Sequence, residues 1–471
     1  MMPKNDPKTL NAWAMYDWAN SVYNLLITSA IFPIYYAAVT ESAFGIAGKS
    51  DDGTDLILVN FFGFELPSDV LYSYGISFSF LLVALISPFL SGMADYGGRK
   101  KFFMKCFTYL GSMACIALYF FTGSNIEFGI AMSVLASLGF AGSIVFYNSF
   151  LPEIATEDRM DTVSAKGFTL GYIGSVLLLL VSLFFVLSPD LIYASEMEVM
   201  AAQLQAEGKS AEEAIKEAEG FYSGWITRYS FIVVGLWWAS FAQIPFARLK
   251  ELPSRKKEGD NLLTKGFKEL QKVYRSLKNY DDMRGFLLSF FLYSIGVQTI
   301  LLLATVFAQR ILNIETSGLI TIILIIQIIA IGGAYLFAII SKRCGNKFAI
   351  MVMLVIWLII CVCAYLVQTE NQFYLLAIVV GMVMGGIQSL SRSTFSKLIP
   401  DDTLSHASYF SFYDVIEKLS LVIGTALYGI VTDFTGNVRN SAFVLMTFFV
   451  LGIIVLARTK IKRRDLKELN D

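Results

Sequence analysis

Charge is scarce in this sequence. Asp, Glu, Lys and Arg make up 16% of its 471 residues, where a soluble chain of this size carries about 25%. That scarcity, with 56% hydrophobic residues and a mean hydropathy of +0.61, excludes a soluble globular protein and puts most of the chain in lipid. Histidine occurs once, so a paired-His zinc site is excluded. That residue, His406, opens the eleventh apolar run and reads as a solvated loop side chain rather than a proton carrier. The five cysteines fall in or beside apolar runs and short basic loops, where neither a structural disulfide nor a metal site is expected. Cys361 and Cys363 are two apart, so a helix points them to different faces. No Gly-rich phosphate loop followed by Lys and Ser or Thr is present, and ATP hydrolysis is not supported. Nucleophile motifs and a large soluble segment are also missing. The expectation is therefore no enzyme, no cofactor and no nucleic-acid partner. A cleavable signal is not expected either: the first apolar run contains Asp17, Asn20 and Asn24 and lacks a small-residue cleavage site.

What the chain does have is length in apolar runs. A helix needs roughly 20 apolar residues to cross the hydrocarbon core, and twelve runs qualify, from 14–39 to 440–458. The first and the eleventh (407–432) are the least apolar. In lipid every backbone group must be paired internally, and no period-2 pattern suggests a barrel, so helices are the only option. With the N-terminus inside, 29 of the 37 Lys and Arg fall on the cytoplasmic side, six outside, and Arg392 and Lys418 within helices. The positive-inside rule then makes both termini cytoplasmic. Residues 40–70 form an acidic external loop. Residues 189–224, rich in Glu and Ala, are external and suggest short helices. Residues 248–284 are cytoplasmic. There Leu263, Phe267, Leu270, Tyr274 and Leu277 recur at helical spacing, with Lys265, Lys268, Lys272, Arg275 and Lys278 on the other faces. This is an amphipathic helix on the membrane surface, read as a structural strap in preference to a calmodulin-like or lipid-sensing element.

Two landmarks recur at one offset. Ser91-Gly92-Met93-Ala94-Asp95-Tyr96-Gly97-Gly98-Arg99-Lys100-Lys101 is echoed by Ser341-Lys342-Arg343-Cys344-Gly345-Asn346-Lys347, with Gly98 and Gly345 247 residues apart. Phe150-Leu151-Pro152 is echoed by Leu398-Ile399-Pro400, 248 residues on. A shared offset implies duplication of a six-helix unit, the architecture of a carrier. The expected division is 1–247, a linker at 248–284, and 285–471 with a basic tail. The first phrase resembles the loop motif of the major facilitator superfamily, departing from it at Ser91, where Gly is usual. A narrower set resembles the vacuole-effluxer-like branch, named for the autophagy-related fungal vacuolar amino-acid exporter. Its members here are Tyr16-Asp17-Trp18-Ala19-Asn20-Ser21-Val22-Tyr23-Asn24, Tyr147-Asn148-Ser149-Phe150-Leu151-Pro152-Glu153-Ile154, Ser164-Ala165-Lys166-Gly167-Phe168, Gly385-Gly386-Ile387-Gln388-Ser389-Leu390-Ser391-Arg392-Ser393, and Phe412-Tyr413-Asp414-Val415 with Lys418. The resemblance covers nearly the whole chain. It implies an alternating-access carrier exporting amino acids or similar small polar molecules, with substrate held between helices one, four, seven and ten.

The polar residues inside the runs carry whatever chemistry there is. Asp17, Asn20, Asn24 and Thr28 share one helical face, which in lipid must meet the bundle interior or a watery cavity. Asp17 is a candidate for a substrate amine or a coupling proton; its alternative role is a helix cap or a partner for a loop Lys. Asn148 and Gln298 lie in helices that line the central cavity in the superfamily, and Gln388 and Tyr413 join them as candidate substrate contacts. Arg392 lies roughly 12 Å inside the membrane by helical rise and needs a partner. Helical spacing offers Glu417 to Arg392 and Asp414 to Lys418. Arg392 then either binds a substrate carboxylate or latches a gate. The superfamily resemblance assigns Asp95 and Arg99, with Lys100 beside them, to a cytoplasmic lock.

The sequence therefore predicts an all-α membrane protein with twelve transmembrane helices in two pseudo-symmetric six-helix halves, the major facilitator fold. It is expected in the bacterial inner or plasma membrane as a monomer moving a small solute, with coupling to H⁺ or Na⁺ left open. The alternatives are a sugar or muropeptide permease, or a non-transporting sensor or lipid scramblase.

Overall fold

The computed structural model describes residues 3–49, 55–251, 253–255, 257, 260–312, 314–400, 403–435 and 437–461. The basic tail past 461, the acidic pair Asp51 and Asp52, Lys256, and the side chains of Lys278 and Arg310 lie outside the described residues. Twelve helices are long and apolar enough to cross a membrane, one for each expected run. The helices in chain order are α1 (Pro7–Phe44), α2 (Ser68–Gly97), α3 (Lys100–Ala117), α4 (Ile126–Ser149), α5 (Glu157–Leu187), α6 (Asp190–Ala206) and α7 (Ala211–Phe241). After the linker helix α8 (Leu262–Asn279) come α9 (Asp281–Leu312), α10 (Thr316–Cys344), α11 (Asn346–Leu366), α12 (Glu370–Leu398), α13 (His406–Thr435) and α14 (Ser441–Arg458). All but α6 and α8 are spans.

α1 starts earlier than its apolar run because Asp6 caps it. The Asp6 carboxylate accepts from Thr9 N (3.0 Å) and Thr9 Oγ1 (2.6 Å), with Pro7 in the first turn, the arrangement that satisfies free amide groups at a helix start. The capping role considered for Asp17 thus belongs to Asp6. Between Tyr23 and Ala30 α1 widens into a π-helix, a rare conformation concentrated at functional sites. Residues 40–70, expected as plain loop, contain two small hairpins: β1 (Gly48–Lys49) with β2 (Asp55–Leu56), and β3 (Leu58–Phe61) with β4 (Phe64–Pro67). Phe62 and Gly63 turn the second hairpin with positive φ at both positions (49° and 88°), as a two-residue hairpin turn requires. α7 has 31 residues, longer than a bilayer needs. Its first turns leave the bundle and pack Ala214 and Ala218 against Met197, Ala201 and Leu204 of α6.

Two large apolar cores form. The buried members of one run from Leu10 to Leu249 with Ala407 added, and Ile323 and Leu324 pack against it. The other draws on residues between Val273 and Leu456, joined only by Val145. Both ends of the described chain lie at one end of the bundle. Asn5 bonds Ile154 O and Thr156, and Lys347 Nζ donates to Ala457 O and Thr459 O. This is the basic end. The linker docks here too: Tyr96 OH donates to Asp260 Oδ2 (2.5 Å), which with the Lys257 amide pushes the Asp260 carboxyl down to about 2.

Gly381 and Gly385 lie against the Ile326 and Ala330 carbonyls of α10. A Cβ at Gly385 would fall 2.2 Å from Ala330 O. Overpacking of this kind costs about 1–3 kcal/mol. Gly385→Val should therefore lower the melting temperature of the purified protein, and an unchanged melt would show that α10 and α12 can part freely.

Candidate functional site

A cavity of about 310 Å³ lies between the two cores. Asp17, Asn20 and Asn24 of α1, Asn148 of α4, Gln298 of α9, Gln388 and Arg392 of α12 and Tyr413 of α13 all line it. The structure thus gathers all eight candidate substrate contacts on one wall system. Of the candidate charge network, Glu417 and Lys418 also reach the cavity, while Asp95, Arg99, Lys100 and Asp414 do not line it. The cavity runs from Arg392 toward Thr28 and Ser29, away from the basic end.

Arg392 and Asp17 form its floor. Asp17 Oδ2 accepts from both Nη1 and Nη2 of Arg392 at 3.1 Å and from Tyr147 OH at 2.8 Å. Arg392 also donates from Nε to Ser164 Oγ (2.9 Å), from Nη2 to Ser164 O (2.9 Å) and from Nη1 to Asn148 Oδ1 (3.3 Å). The guanidinium lies 4.2 Å from the Phe168 ring centre, 4.8 Å from Trp13 and 5.5 Å from Tyr147, within cation–π range. Asp17 and Arg392 are each 4% exposed. Gly167 makes room for the pair, since a Cβ there would fall 2.2 Å from Asp17 Oδ2 and 2.9 Å from Arg392 Nη2.

This corrects the expected partner of Arg392. Glu417 instead accepts from Gln298 Nε2 (2.8 Å) and lies 3.8 Å from Lys418 Nζ. Spacing along helices reports neighbours within one half; Asp17 is 375 residues away and reaches Arg392 across the interface. The other expected pair is present, with Lys418 Nζ 3.6 Å from Asp414 Oδ1. Both Asp414 carboxylate oxygens are buried and accept no hydrogen bond among the described residues.

Two further polar clusters close the basic end. Asp95 Oδ2 accepts from Ser408 N and Ser408 Oγ (both 2.7 Å), and Oδ1 from Ala407 N (3.2 Å). A carboxylate from α2 thereby caps the first turn of α13, where the free amides and the helix dipole favour a negative charge. The cation beside it is Lys100, 3.9 Å from Asp95 and paired with Glu153. Arg99, expected in this pair, is exposed, because the chain turns at Gly98 with φ 62° and sends Lys100 inward. His406 is not solvated: it is buried, with Nδ1 3.1 Å from Glu153 Oε1. In the second cluster Asp161 of α5 accepts from Ser341 Oγ (2.7 Å), Asn346 Nδ2 (2.8 Å), Ser393 Oγ (2.7 Å) and Lys397 Nζ (2.7 Å). Here lies what sequence reasoning missed. The echo of the loop phrase carries Lys342 where the first copy has its acid, and the other half supplies a carboxylate to the same region. Trp13, Tyr147, Ser164 and Glu153 were likewise missed as partners.

The acids in all three clusters come from the first half, and Arg392, Lys397, His406 and the Ser408 amide come from the second. Among the described residues, the hydrogen bonds between halves extend from Asp95 no further than Tyr172 OH to Gln388 Oε1 (2.6 Å). The basic end is sealed, and the cavity lies beyond the seal.

Twelve spans around a central polar cavity between two six-helix cores define a transporter of the major facilitator class. The match to the family described as "Vacuole effluxer Atg22 like" covers residues 5–467, and the chain belongs to that family. It is 31% identical over 458 residues to the Bacillus subtilis uncharacterized MFS-type transporter YxiO, covering 97% of this chain and 96% of that one. It is 26% identical to autophagy-related protein 22 of Pyricularia oryzae, covering 93% and 74%. The major facilitator transporter FucP in its outward conformation superposes with a TM-score of 0.63 over 97% of this chain and 99% of that one, at 12% identity, a likeness of fold. YxiO and FucP are described as transporters, and this chain is a transporter, not an enzyme.

Removing one partner of a buried ion pair costs about 3–5 kcal/mol. Asp17→Asn and Arg392→Gln should each lower the melting temperature sharply. The double variant should lose less than the two single losses added together. Additive losses would show that the pair is not coupled. Asp95→Asn should lengthen distances between spin labels at Arg99 and Leu404 in a background with the native cysteines replaced; an unchanged distribution would count against a lock.

Proposed function

We propose that the protein is a secondary carrier that exports a small zwitterionic solute, with α-amino acids the leading class, by alternating access between its two halves. The observation that carries this reading is the cavity wall beyond the floor. Glu417, Lys418 and Gln298 face Asn20 and Asn24 across the space, so a carboxylate, an ammonium and three amides meet the solute. A zwitterion needs an opposite charge for each end, and Glu417 and Lys418 supply both, the Lys418 ammonium lying 3.6 Å from Asp414 and 3.8 Å from Glu417 rather than in a tight pair. Asp17 and Arg392 already satisfy one another and act in this reading as a latch at the floor, broken when the basic end opens. The family's description as vacuole effluxers supports efflux. In this reading the Lys and Arg put the basic end in the cytoplasm; with that end sealed the protein faces outward, and it works as a monomer in the plasma membrane. A gradient of H⁺ or Na⁺ supplies the energy. A sugar site is disfavoured because no Trp lines the cavity among the described residues.

A bound solute stabilises the state that binds it, by about 2.7 kcal/mol at a hundred times its dissociation constant. Amino acids should therefore raise the melting temperature of the purified protein, and Glu417→Gln and Lys418→Gln should each abolish the shift. Sugars or muropeptides giving the shift instead would overturn the substrate class. Counterflow in proteoliposomes with H⁺ and Na⁺ gradients imposed separately then identifies the coupling ion.

A further inference from the structure

The linker helix α8 lies across the seam between α2 and α13 at the basic end. Its inner face carries Gly266, Glu269, Val273 and Ser276, with Val273 buried in the second core. Gly266 meets Gly92, where a Cβ would fall 2.2 Å from Gly266 O. Glu269 accepts from Ser405 Oγ and pairs with Arg255 at 3.2 Å. The Ser276 and Tyr409 hydroxyls are 2.7 Å apart. These contacts bracket the lock. Asp95 lies between Gly92 and Tyr96 on α2, and Ser408 between Ser405 and Tyr409 at the start of α13.

The apolar stripe of α8 points the other way. Leu263, Phe267 and Tyr274 are 51%, 57% and 52% exposed, and their spacing puts them on one face. A soluble strap would turn this stripe inward, because burying it is favourable. Here it continues a lipid-facing surface. The Tyr274 ring lies 6.1 Å from that of Phe412, which is seven residues before Leu419 and shares its face of α13. Leu419 and Val422 are exposed on that spanning helix. Opposite the stripe, Lys268, Lys272 and Arg275 are exposed along a second ridge. The only acid in α8, Glu269, is turned inward, and Lys265 is taken by Asp260 at 3.3 Å. The outer surface thus combines an apolar stripe at membrane depth with cations of one sign.

We propose that α8 is an interfacial helix that binds acidic phospholipids and thereby clasps the lock. Leu263, Phe267 and Tyr274 enter the acyl boundary, and the long stems of Lys268, Lys272 and Arg275 reach the headgroups. Anionic headgroups attract each such cation, and the attraction is screened by salt. Because α8 touches both α2 and α13, lipid held at its outer face favours the sealed basic end. The inference is independent of the solute carried.

The test is hydrogen–deuterium exchange of residues 262–279 in the full chain, reconstituted in nanodiscs of phosphatidylcholine alone or mixed with phosphatidylglycerol. Phosphatidylglycerol should slow exchange across α8, with the effect falling at high salt. The triple variant Lys268→Gln, Lys272→Gln, Arg275→Gln should need about tenfold more phosphatidylglycerol, or greater, for equal protection, given the attraction per cation. These are surface changes, so exchange in the spanning helices should match the wild type and report an intact fold. Equal protection in the two lipids, or protection retained by the triple variant, overturns the proposal. So does protection that appears only on adding a cell extract, which would indicate a protein partner.

Discussion

The buried pair of Asp17 and Arg392 is the constraint around which the rest is arranged. An unpaired guanidinium at this depth is costly in a membrane, so the two halves must meet here whenever no other anion is present. Much of the surrounding sequence follows from that meeting. Gly167 has no side chain because a Cβ would strike both partners. Ser164 gives up its hydroxyl and its carbonyl to the guanidinium. Three aromatic rings flank the charge and replace polar surroundings with apolar ones, which strengthens the Coulomb term. Trp13 is itself held by a hydrogen bond to Tyr147 O (3.0 Å), and Tyr147 by Asp17, so the cage and the ion pair position one another.

The seal is layered. Nearest the cavity, Tyr172 meets Gln388 one helical turn from Arg392. Then comes the ion pair, then the Asp161 cluster, and at the surface the Asp95 cap. Each layer joins a carboxylate or hydroxyl of the first half to polar groups of the second. Most of these contacts are directional hydrogen bonds rather than interlocked apolar side chains. Polar contacts can be exchanged for water when the halves separate, whereas a large apolar interface would resist parting. The two large apolar cores lie mainly within one half each, where helices need not move past one another.

The fold was legible because lipid allows so few structures. Twelve apolar runs must be twelve helices, and two landmarks at one offset reveal the duplicated unit. The polar residues of the cavity were legible for the same reason: Asn20, Asn24 and Gln298 cannot face lipid, so they face the centre. Pairing across the interface was not legible. Glu417 was the natural partner for Arg392 by depth, yet depth along a helix says nothing about the angle it presents. Arg99 and Lys100 are adjacent and equally basic, and only the turn at Gly98 decides which enters. The π-helical segment of α1 leaves no mark in composition, since Tyr23 to Ala30 is a fair α-helical sequence. Asp161 could have been found by asking which acid replaces the one missing from the second loop phrase.

The division of charge between the halves has a consequence for what happens when they part. While the seal is closed, Asp17, Asp95, Glu153 and Asp161 are neutralised at short range and the seam has almost no external field. Once opened, the same groups become two facing plates, acidic on the first half and basic on the second, with water between them. A field then points across the crevice from the Arg392 and Lys397 wall to the Asp17 and Asp161 wall. A dipolar molecule in that gap is turned to lie along the field before it touches either wall, and dissolved salt weakens the torque. In the proposed transport cycle, the sealed state stores the orientation that the open state applies.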